Sequence, residues 1–226
     1  MSARQTCGWN TFRNSAAGIF ILLLVGITTV EYLHRRLPRI QGEKSDHLVV
    51  IGDSISAGLG ARESIWPELM KSATGSKINN ISIPGATVLD GLRIADHLTA
   101  QDQLVLVELG GNDLFSGEPS RNYGRSLDKL LAKLSSPGRR VVMFELPLLP
   151  HMIGFGREQR QLASKYGVWL IPKRCLAQVL SGKDATSDGL HLSQSGARSL
   201  AALVAGILEP VLQFHHAGST TPATHS

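Results

Sequence analysis

The chain has 226 residues, 42% of them hydrophobic and 18% charged, enough for one domain with a proper core and too few for two large ones. That apolar share excludes a wholly disordered chain, and no internal repeat points to a solenoid, a coiled coil or collagen. The formal charge of +5 sits almost entirely in residues 1–44, which hold six Lys/Arg and two Asp/Glu against 17 and 16 in residues 45–226; the nearly neutral body lacks the electrostatic footprint of a phosphate-binding surface, so no nucleic-acid partner is expected.

Ala16 to Val30 (AAGIFILLLVGITTV) carries no charge over fifteen residues. As a hydrophobic helix it would be roughly 22 Å long, short of the ~30 Å hydrocarbon core. Tyr32 and Leu33 extend it, and Arg35 and Arg36 can snorkel at its end. The run fits a signal-peptide core or a minimal signal-anchor. Thr29-Val30-Glu31 and Tyr32-Leu33-His34 make poor cleavage sites, so the expectation is an uncleaved segment that attaches the protein to a membrane, with a membrane-anchored or exported location. Basic flanks on both sides disfavour a buried core helix. Arg4 and Arg13 precede the run, and Arg35, Arg36, Arg39 and Lys44 follow it. The positive-inside rule then keeps the body on the cytoplasmic side, against the usual reading of an export signal, and the side stays open. Residues 34–45 read as a polar linker. The chain thus divides into an N-terminal segment (1–45), a domain (46–213) and a polar, disordered tail (214–226) whose His215-His216 pair is solvated.

From His47 onward short apolar runs alternate with helical stretches. His47 to Ile51, Lys77 to Ile83, Gln103 to Leu109, Arg140 to Leu146 and Val168 to Ile171 read as strands. Between them lie helices over Trp66 to Ala73, Val88 to His97 with Thr87 as N-cap, Asn122 to Leu134, Gly156 to Tyr166, Lys173 to Leu180 and Ser193 to Leu212. Such alternation predicts an α/β fold: a central parallel sheet covered by helices on both faces, with its site at the C-terminal ends of the strands. Cys7 and Cys175 fall on opposite sides of the apolar run, so the body cannot cross-link itself, and Cys175 reads as a buried thiol. No Cys/His cluster has metal-ligand spacing, so no structural zinc is expected.

Four segments at strand ends carry chemistry. Gly52-Asp53-Ser54 follows the first strand, where a serine hydroxyl could attack if a base removes its proton; alone it reads more readily as a turn. Pro84-Gly85-Ala86-Thr87 follows the second, where a glycine amide near a helix start suits a developing oxyanion, although a plain turn is commoner. Gly110-Gly111-Asn112-Asp113 follows the third and offers a side-chain amide to the same oxyanion. Asp188-Gly189-Leu190-His191 precedes the last helix and sets a carboxylate three residues from an imidazole that it could orient.

In this order the four segments resemble the SGNH (GDSL-type) hydrolase superfamily, closest to the small bacterial arylesterase, thioesterase and lysophospholipase-like branch, over roughly Asp46 to Leu212. The resemblance implies a flavodoxin-like three-layer α/β/α sandwich. It implies Ser54 as nucleophile, His191 as general base and Asp188 as its orienting carboxylate, with Ser54, Gly85 and Asn112 as oxyanion-hole donors. Ile55 stands where the family name has leucine and Leu192 where proline often follows the histidine, both at apolar positions that leave the chemistry intact. The implied activity is hydrolysis of carboxylic esters or thioesters of small-molecule, lipid or sugar substrates through an acyl-enzyme, with no metal or organic cofactor needed. A carbohydrate or envelope O-acetyl esterase or acyltransferase would use the same residues, and a non-catalytic binding module is a further alternative. Outside the four segments, Asp53 reads as a structural acceptor and Glu108 and Glu145 as satisfied strand-end carboxyls. His47 and His97 read as surface or packing residues, and His151 as a solvated residue of a Pro-rich loop.

Overall fold

Three strands consist almost wholly of buried apolar residues, and they set the frame. The computed structural model describes Val25, residues 36–147 and residues 152–215. In it β1 (His47–Gly52), β2 (Lys77–Asn80), β3 (Leu104–Glu108), β4 (Arg140–Phe144) and β5 (Trp169–Ile171) form one sheet in the order β2-β1-β3-β4-β5. Every neighbouring pair is parallel. Alternate side chains sort to opposite faces, as the period of two requires. Leu48, Val50, Leu104, Leu106, Val142 and Phe144 enter one core, while Val49, Ile51, Val105, Val107, Val141 and Met143 enter the other.

The first core is closed by α1 (Ser54–Ala57), α2 (Trp66–Thr74), α7 (Lys173–Leu180) and α8 (Gln194–Leu208). The second is closed by α3 (Val88–Ile94), α5 (Ser120–Leu134) and α6 (Ile153–Tyr166). A further short helix, α4 (Gly111–Phe115), follows β3 directly. The result is the expected three-layer sandwich. Its strand order changes direction between β1 and β3, which opens a crevice at their C-terminal ends.

Strand and helix bounds depart from the sequence reading in a few places. β2 stops at Asn80 rather than Ile83, and the Asn80 side chain there donates to the Ser56 carbonyl at 2.9 Å. The chain beyond it still donates to β1 from Ile81 and Ile83. The last helix ends at Leu208 rather than Leu212: Glu209 keeps helical backbone, but Pro210 has no N–H to give to the Gly206 carbonyl. Neither α1 nor α4 is expected from the sequence: helices of four and five residues are too short to show a 3.6-residue period. Thr87 caps α3 as expected, in a capping box with Asp90.

Two segments assigned to polar flanks belong partly to the core. Ile40, in the expected linker, is 5% exposed and packs with the first core. Phe214 packs against the same core, and the His215 N–H donates to the Thr74 carbonyl at 2.7 Å. The described residues from Leu37 on form one compact unit. The expected N-terminal hydrophobic helix (apart from Val25), Cys7, His151 and His216 lie outside the described residues. Among the described residues no helix is long and apolar enough to cross a membrane.

Candidate active site

Ser54 is the first residue of α1, immediately after β1. Asp53 caps that helix, its Oδ1 accepting from the Ile55 N–H at 3.0 Å. As a first-turn residue Ser54 has no intrahelical acceptor for its own N–H, which is therefore a ready donor. The Ser54 side chain is half-buried and lines a cavity of about 250 Å³ together with Asn112, Glu108 and His191.

His191 comes from a tight loop between α7 and α8. The Ser187 N–H donates to the His191 carbonyl at 2.8 Å and closes the loop. Within it Asp188 Oδ1 accepts from the backbone N–H groups of Leu190 (3.0 Å) and His191 (2.8 Å), while Oδ2 lies 2.6 Å from His191 Nδ1. Three donors on one carboxylate, the imidazole foremost, hold Asp188 far below the usual carboxylate range. A carboxylate can only accept here, so His191 Nδ1 carries the proton and Nε2 keeps its lone pair. The imidazole is thus a base with a fixed tautomer. Gly60, in the loop after α1, allows that loop to lie against this one: a Cβ there would be 2.7 Å from Ser187 Oγ and 3.1 Å from His191 Cβ.

Asn112 sits in the first turn of α4. Its Nδ2 donates to the Ala86 carbonyl at 3.0 Å and to Asp53 Oδ2 at a longer 3.3 Å. One side chain thus joins three of the four segments. Asp113 does a different job: its Oδ2 accepts from the Val88 N–H at 3.0 Å and secures the start of α3.

Gly85 is placed less centrally. With Pro84 before it, φ of +78° and Ala86 N–H donating to the Ile83 carbonyl at 3.0 Å, it occupies the third position of a type II turn. It is exposed, does not line the cavity, and a Cβ would meet nothing within 4 Å. Its backbone conformation by itself calls for glycine there. The structure therefore gathers Ser54, Asn112 and His191 on one cavity, places Asp188 behind His191, and leaves Gly85 on the adjoining turn.

The apolar wall is not legible in the sequence. Leu114, Phe115, Leu146, Leu176, Leu180 and Leu190 supply it; they come from four separate elements and share no sequence pattern. Glu108, expected to be a satisfied strand-end residue, is satisfied by Ser56 Oγ at 2.8 Å, but it also faces the cavity. Glu145 is structural: it accepts from Arg160 Nε at 2.7 Å and from the Lys173 N–H at 3.0 Å. Cys175 is buried, which pushes its thiol up and makes it a poor nucleophile. His97 is exposed, and His47 pairs with Asp102 at 2.9 Å at the far end of β1. Among the described residues no group of three or more His, Cys, Asp or Glu could hold a metal ion.

Known proteins share this architecture. The GDSL-like lipase/acylhydrolase family matches residues 50–199. An arylesterase of Vibrio mimicus is 31% identical over 165 residues, covering 66% of this chain and 81% of the relative. Thioesterase 1/protease 1/lysophospholipase L1 of Escherichia coli (strain K12) is 29% identical over 181 residues, covering 74% of this chain and 86% of the relative. The crystal structure of TesA superposes with a TM-score of 0.65 at 28% identity, covering 74% of this chain and 99% of that one. With a family match over well more than half of its length and a serine, an imidazole and a carboxylate set around one apolar cavity, this chain belongs to the GDSL-like lipase/acylhydrolase family and is a serine ester hydrolase.

Proposed function

We propose that Ser54, His191 and Asp188 form the catalytic triad of an acyl hydrolase acting on esters and thioesters of apolar acyl groups. The observation that carries this reading is the shared cavity: the Ser54 and His191 side chains line it, and Asp188 fixes the tautomer that leaves His191 Nε2 free to accept. His191 Nε2 takes the proton from Ser54 Oγ as the oxygen bonds to the acyl carbon. The negative charge that develops on the carbonyl oxygen falls to the Ser54 N–H and the Asn112 side-chain amide, with the Gly85 N–H as a third donor on the adjoining turn. To serve the oxyanion, the Asn112 amide gives up its longer bond, the one to Asp53. Each such donor is worth about 3–4 kcal/mol in the transition state. Collapse breaks the carbon–oxygen or carbon–sulfur bond, His191 passes its proton to the leaving group, and water repeats the sequence on the acyl-enzyme.

The apolar wall supports an acyl chain rather than a sugar beside the scissile bond. At about 250 Å³ the cavity is smaller than the roughly 300–1,000 Å³ usual for small-molecule sites, which favours short acyl groups. The relatives named as arylesterase and thioesterase 1 support the same chemistry. Membrane attachment through Ala16–Val30 belongs to the proposal on the strength of that apolar run alone. Two experiments test the reading. A fluorophosphonate should label Ser54 and no other residue. A panel of acyl esters, acyl thioesters and acetylated sugars should rank simple acyl esters and thioesters first; preference for acetylated sugars would move the assignment to an O-acetyl esterase.

A further inference from the structure

Beneath the cavity two carboxyl groups share one buried site. The β1–β3 register pairs Gly52 with Glu108, and the Asp53 N–H extends the ladder to the Glu108 carbonyl at 3.2 Å. Their side chains are close enough to act on each other, and both residues are 4% exposed. On one side, Trp66 Nε1 donates to Ser56 Oγ at 3.2 Å, and Ser56 Oγ donates to Glu108 Oε2 at 2.8 Å. On the other, Asp53 accepts from the Ile55 N–H at 3.0 Å and from Asn112 Nδ2 at 3.3 Å. Gly52 makes room for the group, since a Cβ there would lie 2.6 Å from Ser56 Oγ and 3.0 Å from Glu108 Oε2.

Two carboxylates this close cannot both stay ionised in a buried site, so the pair must keep one proton. Ser56 Oγ has a single proton and, by donating it to Glu108 Oε2, leaves Oε1 as the oxygen that can carry the retained proton. We propose that Glu108 is a positioning residue: held as the neutral acid, it donates to the Asp53 carboxylate and so fixes the helix start that carries Ser54 and, until the oxyanion takes over that bond, the Asn112 amide. The inference rests on the reading of Ser54 and His191 as the reacting pair. Burial, and then the neighbouring Asp53, push Glu108 well above the usual carboxylate range, in keeping with an acid that retains its proton at neutral pH. The other ionisable groups acting on Asp53 are His191, from the loop before α8, and Asp113, from α4; Asp188 stands behind His191. A lone negative charge on Asp53 can be tolerated beside His191. A second one on Glu108 would repel the oxyanion that Asn112 has to hold, and turnover should fall at alkaline pH.

The test compares Glu108→Gln, Glu108→Ala and the wild type. Glutamine keeps the geometry of a neutral acid, with one donor for Asp53 and one acceptor for Ser56. Glu108→Gln should hold kcat within about threefold at neutral pH, while Glu108→Ala lowers kcat by about 100-fold with little change in KM, as expected when reacting groups are misplaced. The alkaline fall in kcat assigned to the pair should vanish in Glu108→Gln, an effect that a merely structural role would not produce. A Glu108→Gln variant as impaired as Glu108→Ala, or one with the alkaline limb unchanged, overturns the proposal. Infrared spectroscopy decides the matter even if the variants fail to fold. The wild type at neutral pH should show the carbonyl stretch of a protonated carboxyl group that shifts in deuterated water, and absence of that band overturns the proposal. Fluorophosphonate labelling keeps the two readings apart: a protein that labels at Ser54 but lacks the band loses only the role of Glu108.

Discussion

At the scale of single residues the reaction depends on a proton path with few members. Ser54 and His191 act as one unit, so Ser54→Ala and His191→Ala should each remove nearly all turnover, and the double variant should be little worse than either. Losses that add in steady-state assays would dissolve the pair. Asn112 acts on charge that exists only in the transition state. Asn112→Ala should therefore lower kcat by roughly 100- to 1,000-fold while KM changes little; the opposite split would make it a substrate-binding residue. Asp188 supplies a pH prediction with a definite sign. Its hydrogen bonds from the His191 imidazole and from two backbone N–H groups depress its pKa, so it remains a carboxylate well below the range in which aspartate ordinarily takes up a proton, about pH 3.9. Protonation of Asp188 therefore cannot shape activity above about pH 4; burial raises Asp53 instead, so a second proton on the acid limb of kcat/KM there belongs to Asp53 and should disappear in Asp53→Asn. A second proton that persists in that variant would show that the Asp188 carboxylate is not held as the geometry implies.

At the scale of elements the short pieces after the strands do the work. Helix α4 delivers Asn112 to the reacting end of the cavity and Leu114 and Phe115 to its apolar wall, and Phe115 is 68% exposed. Leu190, next to His191, is exposed as well. Removing these two side chains should hardly change Tm, because neither belongs to the core, yet it should weaken binding of longer acyl groups. Phe115→Ala is expected to raise KM for esters of medium-length acids several-fold and to leave acetyl esters unaffected, since each Å² of acyl surface that the ring no longer shields from water costs about 25 cal/mol; equal effects on both substrates would place Phe115 outside the acyl path. These same elements mark where sequence reading stops. β1 and β3 are legible because strands buried on both faces must be continuously apolar, and α5 because Leu127, Leu130, Leu131 and Leu134 repeat at helical spacing. Ser54, Asn112, Asp188 and His191 are legible because each stands in a short ordered segment. The apolar wall is not, since its side chains converge only through the sheet order. The Asp53–Glu108 contact is hidden for a related reason: it depends on a cross-strand register, Gly52 opposite Glu108, between residues more than fifty positions apart.

At the scale of the whole molecule the chain joins an apolar run at Ala16–Val30 to a catalytic unit that begins earlier than its polar linker suggests. Leu37 onward forms one unit, Ile40 is buried in the first core, and Arg140 Nη1 donates to the Glu43 carbonyl. Ser45 pairs with the C-terminal end of the unit, its N–H donating to the Val211 carbonyl at 2.7 Å. Where the chain is cut should therefore matter. A form comprising residues 37–226 keeps all of these interactions and should match the full chain in Tm and in kcat on soluble esters. A form starting at Lys44 lacks Ile40, whose burial is worth about 1.5–3 kcal/mol, and should melt several degrees lower while still turning over substrate. Identical melting of the two forms would show that Ile40 adds nothing. The full chain should sediment with membranes and resist high-salt extraction, because hydrophobic insertion is not screened by ions as binding through a basic patch is. Full-length protein that is soluble at its intact mass would refute the anchor. Soluble protein shortened near residues 30–40 would instead identify the run as a cleaved leader and leave the catalytic unit, with Ile40 as its test of extent, unchanged.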